Sequence, residues 1–236
     1  MRKILIAVKS CQQDMNRGYH SVIRETWGKD VKAADPDLDL RFFVGSPNLN
    51  VGVQTNPDDE TFLDCADDYA NLPYKTREIL NWSEEHYYDH TFLCDTDTFV
   101  IPAKLMKTGF ERWDYSGKID RPIGQTFQYD AVDREKKHTW LGLCYPWASG
   151  GFGYFVSRRA AQYVVEQEPN IWAEDLWLGQ LLGPYSSDGS GRTGGFKVSH
   201  LPDLANVSTW HFPQGRYKSG YDLKFGWMEE MYKEHK

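Results

Sequence analysis

Metal-ligating cysteine spacing, long hydrophobic runs, a surplus of positive charge and a phosphate-cradling glycine pattern are all missing from this chain of 236 residues. Its four cysteines, Cys11, Cys65, Cys94 and Cys144, stand far apart with no Cys-x-x-Cys pair, which excludes a cysteine-built zinc site and leaves reduced thiols as the expectation. The aliphatic run Ile4 to Val8 is stopped by Lys9, too early for a signal-peptide core or a spanning helix. An unanchored protein of a microbial or viral cytosol, free of export signal and membrane segment, is therefore expected. With 27 basic against 34 acidic side chains the formal charge is −7, so bulk charge gives no support to backbone-driven nucleic-acid binding. The glycine cluster 189–195 lacks the Gly-Lys-Ser/Thr ending of a P-loop and the spacing of a dinucleotide fold, and reads as a flexible loop within 186–195. No internal repeat or low-complexity tract is present.

Hydrophobic residues form 40% and charged residues 26%, the balance of a folded domain, and the length suffices for one sizeable core. Charge is uneven: residues 1–102 carry 10 basic and 18 acidic side chains, residues 103–236 carry 17 and 16. Lys3 to Val8, Leu40 to Val44 and Thr91 to Ile101 read as buried strands, the last interrupted by aspartates. Pro73 stands at a helix start, and Leu72, Thr76, Ile79, Leu80 and Trp82 or Ser83 recur at helical spacing up to His86. A second helix is predicted from Arg158 to Glu168, ended by Pro169, and Tyr145 to Val156 is apolar with Gly150, Gly151 and Gly153 inside it. Short apolar strands alternating with helices predict an α/β fold with a mostly parallel sheet, whose ligands gather at the carboxyl ends of the strands.

Two acidic pairs stand out. Asp95-Thr96-Asp97 closes an apolar run, and apolar residues resume at once. In an extended segment side chains two apart face one side, so the pair suits a shared divalent cation; the same residues equally suit a solvated turn at a strand end. Aspartate-nucleophile phosphatases also place Asp-x-Asp after a strand, but there it closes the first strand, whereas here a long stretch of fold precedes it. Glu174-Asp175 lies directly ahead of an apolar helical stretch. Acidic residues complement a helix N-terminus, and a carboxylate held there in a partly dry pocket is also a usable general base.

Five ordered blocks carry a resemblance: Arg17 to Gly28, ending Ile23-Arg24-Glu25-Thr26-Trp27-Gly28; Asp68 to Thr76; Asp95-Thr96-Asp97; Gly150-Gly151-Phe152-Gly153-Tyr154-Phe155-Val156-Ser157; and Glu174-Asp175-Leu176. Together they resemble glycosyltransferase family 31, which includes β-1,3-galactosyltransferases, β-1,3-N-acetylglucosaminyltransferases and Fringe. The resemblance implies a GT-A fold with a Rossmann-like sheet over a single domain 1–236. Residues 1–102 would then bind nucleotide-sugar and metal, and 103–236 the acceptor, together with the catalytic base. It further implies inverting transfer of a hexose or N-acetylhexosamine from a UDP-sugar to a saccharide or glycoconjugate hydroxyl, β-1,3-linked by family default, with Mn²⁺ or Mg²⁺ as cofactor.

Residue by residue, the resemblance makes Asp97 the principal metal carboxylate, with Asp95 assisting it or holding the donor ribose. A late histidine completes such sites, here His211, with His200 second. Lys9, Ser10, Arg17 and Arg24 match the donor-side segment, where Lys and Arg pair with diphosphate oxygens, although Arg24 and Trp27 equally suit packing of the first helix. Asp175 would be the base with Glu174 as its fallback, and Trp147, Trp210, Gly150 and Gly151 would form the sugar platform. Many relatives have three acidic residues in a row at the metal segment, whereas Thr96 holds the middle here.

Other readings stand beside this one. A non-catalytic nucleotide-sugar or carbohydrate-binding module would keep the fold without turnover. Glycoside hydrolysis would need two carboxylates flanking the sugar, one of them an acid. A modified base of phage-like DNA as acceptor is raised by Arg134, Lys136, Lys137 and His138 and by Arg158 and Arg159, which otherwise serve as solvated surface.

Overall fold

The computed structural model describes residues 2–46, 58–119, 121, 126–133, 138–183, 195–212 and 221–236. The strands in chain order are β1 (Ile4–Ser10), β2 (Leu38–Gly45), β3 (Glu60–Leu63), β4 (His90–Asp95), β5 (Thr98–Val100), β6 (Tyr115–Gly117), β7 (Phe127–Asp133), β8 (His138–Cys144), β9 (Tyr154–Ser157), β10 (Val198–His200) and β11 (Thr209–His211). The helices are α1 (Gln12–Asn16), α2 (Tyr19–Glu25), α3 (Val31–Ala34), α4 (Leu72–Glu85), α5 (Pro102–Leu105), α6 (Arg158–Val165), α7 (Glu174–Leu182) and α8 (Tyr221–His235).

β1 is buried at every position, which is why it opens as an apolar run: it lies inside the sheet between β4 and β2, with helices over both faces. Its residues alternate between two cores. Leu5 and Ala7 join Ile79, Leu80, Ala160, Val164 and Trp177 under α4, α6 and α7. Ile4, Ile6 and Val8 join Ile23, Trp27, Phe92, Phe155 and Met228 under α2 and α8. Among the described residues the main sheet has seven strands in the order β10-β6-β9-β4-β1-β2-β3. β1, β2, β3 and β4 run parallel, β6 pairs parallel with β10, and β9 alone runs against both neighbours. The mostly parallel sheet read from the sequence is thus present. A hairpin of β7 and β8 stands apart from it.

Two boundaries differ from the sequence reading. The predicted strand 91–101 divides: β4 ends at Asp95, Thr96 and Asp97 turn, and β5 leaves the main sheet to pair antiparallel with β11, Thr98 opposite His211. The two carboxylates therefore stand on either side of a turn rather than on one face of a strand. The helix from Arg158 stops at Val165, ahead of Pro169; at its other end the Ser157 hydroxyl accepts from Ala160 N at 3.2 Å as the N-cap. Cys11, Cys65, Cys94 and Cys144 are all free thiols, as expected. Among the described residues no helix is long and apolar enough to cross a membrane. Arg134, Lys136 and Lys137, and the glycine-rich loop up to Gly194, lie outside the described residues.

Candidate active site

A cavity of about 950 Å³ opens at the carboxyl ends of β1 and β4. Its walls come from Lys9 to Cys11, the segment from Asp67 to Tyr69, the turn between β4 and β5, the stretch from Trp147 to Gly151, the N-terminus of α7, and His211. Both halves of the chain contribute, so neither builds the site alone.

Lys9, the penultimate residue of β1, is buried beneath the cavity. Its Nζ donates to Glu174 Oε1 and lies 3.2 Å from Asp95 Oδ1, which ties β1 to α7 and β4. Burial opposes its charge, but Asp95 and Glu174 outweigh burial and raise its pKa. The Tyr154 hydroxyl on β9 donates to the same Glu174 oxygen at 2.5 Å. Burial, then the Glu174 charge, push that phenol well above its ordinary value. Glu174 Oε1 is thus engaged by both a buried ammonium and a buried phenol.

Asp175 is engaged less. Its Oδ1 accepts from Leu176 N at 2.9 Å, and its Oδ2 lies 3.5 Å from Gly150 N. Burial first, then the charge on Glu174, raise its pKa to about 7. A carboxyl with that acidity changes protonation near neutrality, as a general base must.

The glycine at 151 follows from close approach: a side chain there would put its Cβ 2.8 Å from the His211 ring, whereas one at Gly150 would meet Glu174 at an ordinary 3.4 Å. The backbone of the pair lies between His211 and the start of α7. Thr98 Oγ1 donates to the Gly151 carbonyl at 3.1 Å, securing that strip to β5.

Across the turn, Asp97 Oδ1 lies 3.5 Å from His211 Nε2, and Phe212 N donates to the Asp97 carbonyl at 3.1 Å. The β5–β11 register produces this pairing. Asp95, by contrast, is turned toward Lys9; burial together with Glu174 and Asp97 raises its pKa to about 6 although Lys9 holds it down. One carboxylate and one imidazole suit a divalent cation that completes its shell with substrate oxygens and water. Among the described residues no group of three His, Cys, Asp or Glu side chains forms a closed cage, so ligand oxygens are needed to finish such a site.

Of the residues singled out from the sequence, the cavity brings together Lys9, Ser10, Asp95, Asp97, Trp147, Gly150, Gly151, Glu174, Asp175 and His211. Arg17, Arg24, Trp210 and His200 are not among its walls. Arg17 caps the end of α1. Arg24 makes a two-pronged contact with Asp59 at 2.7 Å and a further bond to Glu60 at 2.6 Å, so its guanidinium is spent inside the fold. Trp210 packs on Phe99 and stacks on His235. His200 accepts from Ile119 N at 3.0 Å at the sheet edge. Arg158 and Arg159 pair with Glu84 and Asp114.

Among the wall residues that escaped the sequence reading of the site, Tyr69, Trp172, Lys75 and Asp67 matter most. Tyr69 and Trp172 face each other with ring centroids 5.9 Å apart; Tyr69 is 55% exposed, and the buried Trp172 Nε1 has no partner among the described residues. Lys75, buried in α4, donates to the Ser10 carbonyl and to Asp67 Oδ1, both at 2.6 Å. Asp67 also accepts from Gly45 N at 2.8 Å and Gln12 N at 2.6 Å, joining the ends of β1 and β2. The signal for Lys75 was present: it is an ammonium on the apolar face of α4 beside Thr76 and Ile79, which demands an internal partner.

Comparison with known proteins adds an independent line. The profile of the galactosyltransferase family matches residues 19–187. Beta-1,3-galactosyltransferase 4 of Canis lupus familiaris is 23% identical over 271 aligned residues, covering 90% of this chain and 66% of that protein. The acetylgalactosaminyl-O-glycosyl-glycoprotein beta-1,3-N-acetylglucosaminyltransferase of Mus musculus is 25% identical, with 76% and 51% covered. The chain thus spans no more than 66% of the length of these two relatives. Among solved structures, a glycosyltransferase involved in the glycosylation of the major capsid of PBCV-1 superposes with a TM-score of 0.52 at 11% identity, over 97% of this chain and 99% of that one, a likeness of fold.

Proposed function

The chain belongs to the galactosyltransferase family and carries a GT-A-type fold, and from that premise we propose that it moves a hexose or N-acetylhexosamine from a UDP-sugar to a saccharide hydroxyl with inversion. The observation that carries the reading is the strip Gly150-Gly151, which sets Asp175 at one end of a shared cavity and the Asp97–His211 pair at the other. A nucleophile's proton and a leaving diphosphate need groups of opposite chemistry in one cavity.

Asp97 and His211 would hold a divalent cation, Mn²⁺ or Mg²⁺, which supplies Lewis-acid neutralisation of diphosphate charge when bound. Asp175 takes the proton from the acceptor hydroxyl as the oxygen attacks in line, so one base suffices and the anomeric configuration inverts. Glu174, whose charge is committed to Lys9 and Tyr154, holds the start of α7 in place and leaves the proton to Asp175. Trp147, Trp172 and Tyr69 offer aromatic surface against which a sugar ring can lie.

Thermal unfolding with UDP, with and without Mn²⁺, tests the donor site. A ligand at a hundredfold excess over its Kd stabilises the fold by about 2.7 kcal/mol. The expected result is a metal-dependent rise in midpoint that vanishes in Asp97→Ala. No shift at saturating UDP and Mn²⁺ would overturn the reading.

A further inference from the structure

A chain of hydrogen bonds runs through the interior to the cavity. Arg24 donates to Glu60 at 2.6 Å, His20 Nδ1 lies 2.9 Å from Glu60 Oε1, and His20 Nε2 lies 2.7 Å from Ser10 Oγ. His20 and Ser10 are buried, the Glu60 side chain is 4% exposed, and Ser10 forms part of the cavity wall. Nothing in the transfer step uses this relay.

Ser, His and Glu at such distances also make nucleophile triads, in which the ring must become an imidazolium. That outcome is disfavoured here. Burial pushes the His20 pKa down against the pull of Glu60, Arg24 claims the same carboxylate, and the ring is stacked on Phe42 at 4.1 Å. The relay therefore orients rather than activates.

Its direction follows from proton counting. A carboxylate only accepts, so the proton of the neutral ring sits on Nδ1 and Nε2 is left as an acceptor. Ser10 must then donate its single hydroxyl proton to Nε2; its other oxygen neighbour, the Cys11 carbonyl, is farther at 3.4 Å. The free lone pairs of Oγ can only accept, and among the described residues no group donates to them. Lys75 fixes the Ser10 backbone through its carbonyl, so the atom is held in position as well as in polarity.

We propose that Ser10 selects the nucleoside part of the donor by accepting a hydrogen bond from an N–H of the base or an O–H of the ribose, and that Arg24, Glu60 and His20 are positioning residues that keep it an acceptor. Ser10 ends β1, where the sheet order passes from β2 to β4, and crevices at that point of open α/β sheets receive nucleotides. The proposal rests on the UDP-sugar reading above.

Calorimetric titration in Mn²⁺ of the unsubstituted protein and of Ser10→Ala tests it with four probes: UDP, N3-methyl-UDP, 2′-deoxy-UDP and 3′-deoxy-UDP. Ser10→Ala is expected to bind UDP roughly tenfold more weakly. One analogue should show the same loss on the unsubstituted protein and no further loss on the variant; which one it is separates base from ribose. Equal UDP binding by both proteins, or undiminished discrimination by Ser10→Ala against all three analogues, would overturn the proposal. Nitrogen NMR of His20 supplies a readout that packing alone does not move: Nδ1 protonated in the unsubstituted protein and in Glu60→Gln, whose amide oxygen still accepts from Arg24 and His20, but loss of that preference with weakened UDP binding in Glu60→Leu. A ring protonated on Nε2 in the unsubstituted protein would overturn the relay whatever nucleotide binds. Absence of UDP binding with Nδ1 protonated would instead overturn the donor reading and leave only the relay.

Discussion

The cavity floor and the cavity walls treat the same side chains differently. Each acidic pair divides by partner: Asp95 and Glu174 bind Lys9, whereas Asp97 and Asp175 stand beside His211 and a loosely held backbone N–H, with Asp95 the more exposed of the first pair. One buried ammonium thus serves two carboxylates, and Tyr154 takes up further acceptor capacity on Glu174. The walls hold the remainder: Asp97 beside His211, Asp175 beside the Gly150 N–H, and the ring of Trp172. Residue type does not separate structural from reactive carboxylates here; the partner does. The floor is finished by folding, and the walls are where the proposed cation, donor and acceptor would bind.

The largest effect expected from breaking this contrast is at Asp175. Asp175→Asn keeps the shape and removes the base, so transfer should fall about 100- to 10,000-fold while UDP affinity stays within about twofold, measured by turnover and by titration. Equal loss of both would remove Asp175 from the base role. With its pKa raised to about 7, the carboxyl must lose its proton to act, so the rate should climb with pH to about 7 and then level. Stability carries the opposite sign. A carboxyl whose folded pKa lies above its unfolded value favours the fold below the unfolded pKa, and that contribution is lost as pH rises through about 7. Asp175→Asn should therefore melt higher than the unsubstituted protein at pH 8, a gap that closes on acidification.

The floor responds in the other currency. Lys9→Met strands Glu174 and Asp95 without their cation and should cost about 3–5 kcal/mol in denaturant unfolding. Adding Glu174→Gln should recover part of that loss, because it removes one of the stranded charges. A Lys9→Met protein as stable as its parent would mean that water reaches the floor and that the separation from the walls is not real.

Much of this was legible in the sequence, and the failures share a cause. β1, α4 and the start of α7 show themselves by local pattern: an apolar run, a helical period behind Pro73, an acidic pair ahead of apolar residues. His211 was chosen because the resemblance calls for a late histidine and this one follows an apolar segment; the β5–β11 pairing then sets it beside Asp97. The division of Asp95 from Asp97 was not reachable, since it depends on β5 leaving the main sheet for β11, a pairing across more than a hundred residues. Arg24 misled for a similar reason: its carboxylates, Asp59 and Glu60, lie at a strand start distant in sequence, and an arginine in a donor-side block looks like a phosphate ligand until they are found. Trp172 was passed over because nothing local distinguishes an aromatic that lines a cavity from one that fills a core.

Trp172 gives the smallest and sharpest test of the walls. Its ring faces Tyr69, its N–H is unspent among the described residues, and it precedes Asp175 by one turn of chain, so a sugar lying on it would bring a hydroxyl toward the base. Trp172→Phe keeps an aromatic face and removes only the donor. Because that N–H is buried, KM for a saccharide acceptor used by the unsubstituted protein should stay within about twofold, with kcat and UDP affinity nearly unchanged. Trp172→Ala, which removes the face as well, should raise KM beyond that. Lys9→Met should instead lower stability without selectively raising acceptor KM. A kcat loss in Trp172→Phe at saturating acceptor would move this side chain from holding the sugar to orienting α7, and so from the walls to the floor.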